Sequence, residues 1–496
     1  MFVTNWISTT KIQKISEITN FFRHYFLSRT EVYMVLLLGM VMGLASCDNY
    51  LNIEPKGKRI PKSLADYEAF LRYEYGTHRM PVLQTCYLLN DEYLTNSYAS
   101  YYPMYKANYN WEEETDRAYW NSADESTYYV AYGTINTCNL ILEDVPNTTE
   151  GTEKEKAEVM AYARVLRAMN YFNLANYYAD TYEPSNAASK LSVPLITSSL
   201  QNAPYHQATI QEIYEFILND LNTSVADLPD MGTTLLHPGK GAAYAMLART
   251  YLQMMNYEKA LEFADKALAI NDKLVDWVGF YNDNKGVIGQ EGVYPSLKTP
   301  LGFDSQDCYN FNYADNSSNY ASAIFKIPVN RAAGFEEGDA YFLSNWKLRT
   351  MGAETYYQGL TNGYINLAGM RTVEQYLIKA ECLARKKQLT DAMDVLNEVR
   401  KTYILPEKYQ PLSASSVAEA IRYIRQAKDN QLIFSIVPFG DARRLNAEGT
   451  YARTLTKEID GKQISLAPSS HLWTFPFPKG AIDNPGNGSF VQNVEK

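Results

Sequence analysis

The sequence predicts a mostly α-helical protein, a scaffold of stacked helix hairpins carrying a large, loop-rich, irregular half with few short strands. Three observations carry this. Residues 155–178 form an almost unbroken run of helix formers, with Val159, Tyr162, Ala163 and Leu166 on one stripe and Val165, Met169 and Phe172 on another. That helix is therefore expected to be covered on more than one side. Two later stretches echo each other: Tyr251, Ala260, Ala264 and Ala267 within 241–270, and Leu383, Ala392, Leu396 and Val399 within 371–403, share the spacing nine, four, three. Between and after them lie long segments rich in Gly, Asn, Asp and aromatic residues without a sustained helical period.

Taken in order, the chain begins with an address. Tyr33 to Ala45 is an apolar stretch preceded by Arg23 and Arg29 and followed by Leu44-Ala45-Ser46-Cys47. It is too short to cross roughly 30 Å of hydrocarbon, which needs about 20 helical residues. Residues 1–46 are expected to be a lipoprotein signal peptide, with Cys47 as the lipid anchor and first mature residue. This leader exceeds the usual 15 to 30 residues, yet a start at Met34 would leave no basic flank, so the true start stays open.

Residues 48–61 read as a polar tether interrupted by Pro55, Gly57 and Pro61. A helix is expected over 64–75, and loops over about 84–120. The helix at 155–178 is followed by an amphipathic one over 210–228, stopped by Pro229. The echoed spacing is that of tetratricopeptide helix pairs, whose second helix needs small or apolar residues to nest on the first. Such pairs are expected within about 153–270 and 371–430, with turns at Asn256-Tyr257 and Lys387-Gln388. A pair cannot bury its own apolar face, so the pairs should stack. Residues 275–369 read as a loop-rich insert, and 438–496 as an irregular tail whose prolines (Pro468, Pro476, Pro478, Pro485) oppose long helices. Residues 47–496 are thus expected to form one domain.

Composition narrows the function. The 496 residues hold 46 Lys plus Arg against 56 Asp plus Glu, a net charge of −10. Nucleic-acid binding needs clustered cations to release counterions, so no nucleic-acid partner is expected. Cys86, Cys138, Cys308 and Cys382 match no metal spacing and read as buried thiols or at most one permitted disulfide. None of the five His lies in a His-Glu-x-x-His motif, and no Gly-x-Ser-x-Gly elbow or phosphate loop occurs. The acidic run Glu112, Glu113, Glu114, Asp116 reads as a solvated loop rather than a glycosidase carboxylate pair. No catalytic residue, metal site or cofactor is expected; a structural calcium near Asp283 or Asp315 has no EF-hand spacing behind it.

What is present is tyrosine. Residues 87–133 contain eleven of the 41 Tyr, plus Trp111 and Trp120. A sugar ring offers an apolar C–H face rimmed by hydroxyls, so a binder needs aromatic platforms beside polar side chains. Asp91, Tyr98, Tyr101, Tyr102 and Trp111 are candidate ligand contacts on this reading, with a second wall at Trp277, Tyr281, Tyr309 and Tyr313. Trp120, Tyr128 and Tyr132 fall at helical intervals and are expected in the core. Binding at such an open site is expected near millimolar, roughly −4 kcal/mol.

Several motifs together resemble the SusD/RagB family, the outer-membrane nutrient-binding lipoproteins of Bacteroidota. They are Cys47-Asp-Asn-Tyr-Leu51 with Pro55, Trp120 followed by Tyr132, Ile135, Asn139 and Leu140, and the helix Ala161 to Ala168 with Tyr171-Phe172 and Leu174. Gly239 to Ala243, Arg371 with Glu374 and Tyr376 to Glu381, Val399-Arg400, Asp441-Ala-Arg-Arg444, Trp473 to Pro478 and Gln492-Asn493 complete the series. One departure is Arg425 to Gly440, where the family usually shows Arg-x-x-Glu-Leu-x-Phe-Glu. The resemblance covers nearly the whole mature chain. It implies non-catalytic binding of an oligosaccharide or polysaccharide at the cell surface, on the lipid-anchored face of the outer membrane, and delivery to a SusC-like TonB-dependent transporter. The competing readings are a surface glycoside hydrolase and a repeat scaffold that binds only protein or peptide.

Overall fold

The computed structural model describes residues 61–73, 77–120, 126–314 and 325–494. The chain divides into two compact units, Met1–Pro61 and Lys62–Lys496, and the described helices and strands belong to the second. The signal peptide, Cys47 and the tether up to residue 60 lie outside the described residues, as do Asp315 and the side chain of Trp120.

Helices dominate. After a short helix at Leu64–Leu71 come α1 (Leu83–Leu89), α2 (Asn96–Tyr101), α3 (Pro103–Asn110), α4 (Ser126–Asp144) and α5 (Glu153–Tyr178). Strands β1 (Leu191–Leu195) and β2 (Tyr205–Thr209) precede α6 (Ile210–Ser224), α7 (Lys240–Gln253), α8 (Tyr257–Ile270) and α9 (Trp277–Ile288). Strands β3 (Lys326–Pro328), β4 (Trp346–Met351) and β5 (Glu354–Gly359) form an antiparallel sheet in the order β3-β5-β4. Then come α10 (Thr372–Arg385), α11 (Leu389–Tyr403), α12 (Val417–Gln431), α13 (Ile436–Ala447) and the hairpin β6 (Leu455–Ile459) and β7 (Lys462–Leu466).

Local chemistry explains the boundaries. Thr152 and Thr209 each accept the amide of a Glu three residues on, while that Glu accepts theirs, so α5 and α6 start in capping boxes. The turns of α7–α8 and α10–α11 match residue for residue: Met255 and Lys387 both take left-handed backbone, at φ 59° and 63°. Beyond each turn, Ala260, Ala264 and Ala267, or Ala392, Leu396 and Val399, are fully buried at the helix crossing. The echo read from the sequence is thus a packing requirement. The stack starts earlier and ends later than expected: α4 pairs with α5, and α12 with α13. Helix α5 is wedged between α4 and α6 and is buried along nearly all of Val159–Tyr178.

The motif residues are the cross-braces of this stack. Arg167 of α5 donates to both oxygens of Asp220 on α6, at 2.8 Å each, and to Asn139 on α4 at 2.7 Å. Arg249 of α7 forks onto Glu374 of α10 at 2.7 and 2.6 Å. Arg371 holds Asp307 at 2.7 Å. Glu381 of α10 meets Lys428 of α12 and Arg444 of α13, which also share Asp441. Burial opposes the Glu381 charge, but Arg444, Lys428 and Arg385 outweigh it and hold its carboxyl well below the usual range. Arg443 caps the end of α5 by donating to the carbonyls of Asn176 and Ala179, which the helix itself cannot satisfy.

Three expectations about irregular regions are corrected. Residues 84–120 are largely helical (α1, α2, α3), and the helical period escapes notice because tyrosines stand where aliphatic residues would mark it. The 275–369 insert contains α9, started by the Asp276 side chain on the Gly279 amide, together with the three-stranded sheet. The tail opens with helix α13, which tolerates Pro438 because the first turn needs no amide donor there. The β6–β7 hairpin turns at Asp460-Gly461, both at positive φ, as the twist of a two-residue hairpin demands. The described cysteines are all buried free thiols, and among the described residues no helix is long and apolar enough to cross a membrane.

Candidate functional site

A tyrosine arc emerges from the α1–α3 cluster. Leu83, Tyr87 and Leu94 form a small satellite core, against which Ala99, Tyr105 and Tyr109 pack. From this anchor the rings climb outward: Tyr87 to Tyr105 at 5.0 Å between centroids, Tyr105 to Tyr102 at 5.0 Å, then Tyr102 to Tyr98 at 5.4 Å and to Tyr101 at 5.3 Å. Tyr87 is buried while Tyr98 and Tyr101 are 40% and 78% exposed. Thr95 starts α2 by accepting the Tyr98 amide, and Pro103 starts α3 at a position where its ring is tolerated. The two short helices thereby hold a ladder of rings whose outer end faces solvent.

An open cleft of about 680 Å³ lies where Asn90 and Trp111, at the ends of α1 and α3, meet α12. One wall is the face of α12 carrying Arg422, Arg425 and Asp429, another the 450–456 segment leading into β6, and a third Asn90, Asp91 and Trp111 with Arg331. Trp111 closes α3 in left-handed backbone at φ 54°, held there as its Nε1 donates to the Leu88 carbonyl at 2.8 Å. A bulky residue in that region is strained by about 1–2 kcal/mol. Arg331 donates to Asp91 at 2.6 Å and to Asn430 at 3.0 Å. Burial raises the Asp91 carboxyl, and Arg331 pulls it back.

Beneath Asn90 and Trp111 sits Lys457 of β6, 4% exposed. Its Nζ lies 3.8 Å from the Tyr109 ring centre, 4.4 Å from that of Trp111 and 3.5 Å from Asn90 Oδ1. No carboxylate among the described residues forms an ion pair with it, and burial pushes its pKa down to about 7.

The candidates from sequence therefore separate. Asp91 and Trp111 line the cleft, and the exposed Tyr98 and Tyr101 flank a half-buried Tyr102 in the arc. The second wall is not a surface. Trp277 is buried on Phe280 and Tyr341; Tyr309 is buried with its hydroxyl on the Asn271 carbonyl at 2.6 Å; Tyr313 is buried against Phe311 and Leu236. Tyr281 is half-buried against the core. These rings are taken inward because the insert folds onto the helical stack instead of standing away from it. Tyr128 is in the core and Tyr132 is partly buried, its hydroxyl on the Pro194 carbonyl. Glu112 is engaged by Asn110 and Thr115, and Glu113 by Ser470.

Sequence reasoning missed Arg331, Arg422, Arg425, Asp429 and Lys457. Two signals were available. Arg422, Arg425 and Asp429 recur at three and four residues on one helix face. Lys457 occupies the inward register of Leu455-x-Lys457-x-Ile459, where alternation calls for an apolar residue.

Comparison with known proteins agrees with this architecture. The SusD-like family model described as "Starch-binding associating with outer membrane" matches residues 49–252. A SusD superfamily protein from Bacteroides thetaiotaomicron superposes with a TM-score of 0.64 at 16% identity, covering 87% of this chain and 100% of that one. Over residues 49–252 the chain is similar to the SusD-like family. A SusD-like carbohydrate binding protein from Bacteroides vulgatus gives a TM-score of 0.62 at 16% identity over 88% of this chain and 100% of its own; at such identities the likeness is one of fold. SusD-like protein P2 of Formosa agariphila is 30% identical over 135 residues, 27% of this chain. The aligned stretch spans about a quarter of that relative's length, 25%.

Proposed function

We propose that this chain binds a glycan through the Tyr98–Tyr101–Tyr102 arc and the cleft lined by Asn90 and Trp111, breaks no bond in it, and passes it to a SusC-like TonB-dependent transporter. The lipid on Cys47 would hold it at the outer-membrane surface, with two acyl chains sufficing for stable anchoring. The observation that carries the reading is the arc itself. Tyr101 and Tyr98 are exposed aromatic rings on a rigid footing, a costly arrangement unless something apolar covers them. Sugar rings can stack there while the hydroxyl rim meets Asn90, Asn330 and Asn430 in the cleft. Against a hydrolase stands the geometry of the cleft acids: Asp91 is paired with Arg331 at 2.6 Å and Asp429 with Arg453 at 2.9 Å, so both carboxylates are taken up in ion pairs.

The test is calorimetric titration of glycans selected on an array, with chromatographic search for cleavage products. Binding without product is expected. Tyr101→Ala, which removes an exposed ring and leaves the core alone, should weaken binding by about 1 kcal/mol, roughly fivefold. Released sugars, or a Tyr98→Ala/Tyr101→Ala double variant that binds as tightly as the parent, would overturn the reading.

A further inference from the structure

The cleft is cationic in an anionic protein. Its walls carry Arg331, Arg422, Arg425 and Arg453 against Asp91 and Asp429, an excess of two positive charges where the whole chain carries −10. Two of the arginines are spoken for, Arg331 by Asp91 and Arg453 by Asp429. The other two are not. Arg425 is only 9% exposed, its Nη1 donates to the Tyr451 carbonyl at 3.0 Å, and its Nε has no hydrogen-bond partner among the described residues. The carboxylate that faces it, Asp429, is 3.9 Å away and closer to Arg453. Arg422, one turn before it on α12, is 62% exposed, leans on the Tyr423 ring, and meets Glu419 only at 3.8 Å. Beneath Asn90 and Trp111, Lys457 is a further basic group, with no carboxylate in an ion pair with it among the described residues.

A buried guanidinium with an unmet donor at the wall of an open cleft costs stability unless an acceptor arrives. The natural acceptor is a planar or tetrahedral oxyanion, which two neighbouring arginines can fork. Trp111 and Tyr451 in the cleft wall supply aromatic surface for the rings that bear such a group.

We propose that the cleft selects acidic saccharides, a sugar carboxylate or sulfate ester lying on Arg425 and Arg422. This rests on glycan binding at the arc and cleft and adds to it the chemical class of the glycan. The neutral sugars of a starch would use the arc alone.

The experiment compares matched pairs on the full chain by calorimetry at low and moderate salt. Oligogalacturonate is set against its methyl ester, which keeps the ring and loses the charge, and dextran sulfate against dextran. At least one charged member is expected to bind about tenfold more tightly than its neutral partner, with the advantage shrinking as salt rises. Which pair shows it decides between carboxylate and sulfate. Arg422→Gln, at an exposed site that leaves folding untouched, should cut that preference to about threefold, and Arg422→Lys should keep more of it. Arg425→Gln should abolish it, with a circular-dichroism melt to confirm folding. If charged and neutral members bind alike, or Arg422→Gln leaves the preference whole, the acidic-glycan assignment is overturned while glycan binding stands. If no glycan of either kind binds, the broader reading falls and this one with it.

Discussion

Replacing Lys457 by Met should stabilise the protein, and by an amount that depends on pH. The ammonium lies under Asn90 and Trp111 without an acid, and burial lowers its pKa from the ordinary 10.5 to about 7. Below pH 7 the lysine is charged in both folded and unfolded chains, and the folded state bears the whole cost of burying the charge. Between pH 7 and 10.5 the unfolded chain stays protonated while the folded one does not, so unfolding takes up a proton and stability climbs with pH. Above 10.5 both are neutral and the cost is gone. The fall from 10.5 to about 7 amounts to about 5 kcal/mol. The Tyr109 and Trp111 rings, at 3.8 and 4.4 Å, return about 1–2 kcal/mol each to the ammonium. A net gain of about 2 kcal/mol is therefore expected for Lys457→Met at pH 6, shrinking as pH rises above 7 and vanishing only near pH 10.5. With an unfolding entropy of about 2.1 cal/mol/K per residue, the 435 residues from Lys62 to Lys496 convert 1 kcal/mol into about 1 °C. Paired thermal melts should show the variant about 2 °C higher at pH 6 and level with the parent only near pH 10.5. A variant that melts lower at pH 6, or a gap that ignores pH, would refute the reasoning that this lysine is a buried charge without an acid.

Other perturbations probe the scaffold. Glu374→Gln leaves the Arg249 charge buried without its carboxylate and should cost about 3–5 kcal/mol, whereas Arg249→Leu/Glu374→Leu should recover most of that; additive losses in a double-mutant cycle of melts would deny the pairing. Asp339, fully buried at the N-terminus of the Ala340–Asn345 helix, has its carboxyl raised to about 8 by burial, with Glu336 adding to the effect and the Phe342 and Tyr341 amides opposing it. The folded state therefore holds the proton that the unfolded chain releases between pH 4 and 8, and stability drains away as pH rises through that window. Asp339→Asn keeps an oxygen for the Phe342 amide, so it should gain about 2 kcal/mol at pH 8.5 and nothing at pH 4, read as a pH-dependent difference in melting temperature. Thr209→Ala removes one half of the α6 capping box and should cost about 1 kcal/mol in the same assay.

The helix pairs were legible because their signal is local and periodic. The nine, four, three spacing of Tyr251 to Ala267 and Leu383 to Val399 marks residues that must be small or apolar at each crossing, and the turns at Met255 and Lys387 fall in equal register. The tyrosine-rich helices α2 and α3 were not legible as helices, since Tyr98, Tyr101, Tyr102, Tyr105 and Tyr109 blur the contrast between buried and exposed faces. Trp277, Tyr309 and Tyr313 looked like Tyr101 in sequence, each an aromatic among Asn, Asp and Gly. Their burial depends on segments distant along the chain, such as Tyr341 over Trp277 and Asn271 over Tyr309.

The same division runs through the charged motifs. The helical scaffold, the tyrosine enrichment and the order of the Arg, Asp and Glu motifs could all be read along the chain, because each is a property of neighbours within a few turns. The packing of distant helices then spends Arg167, Arg249, Arg371 and Arg444 on carboxylates inside the stack and leaves Arg422 and Arg425 facing an open cleft. An arginine's role is set by whether an acid arrives within about 3 Å of it from another helix, and no spacing along the chain encodes that distance.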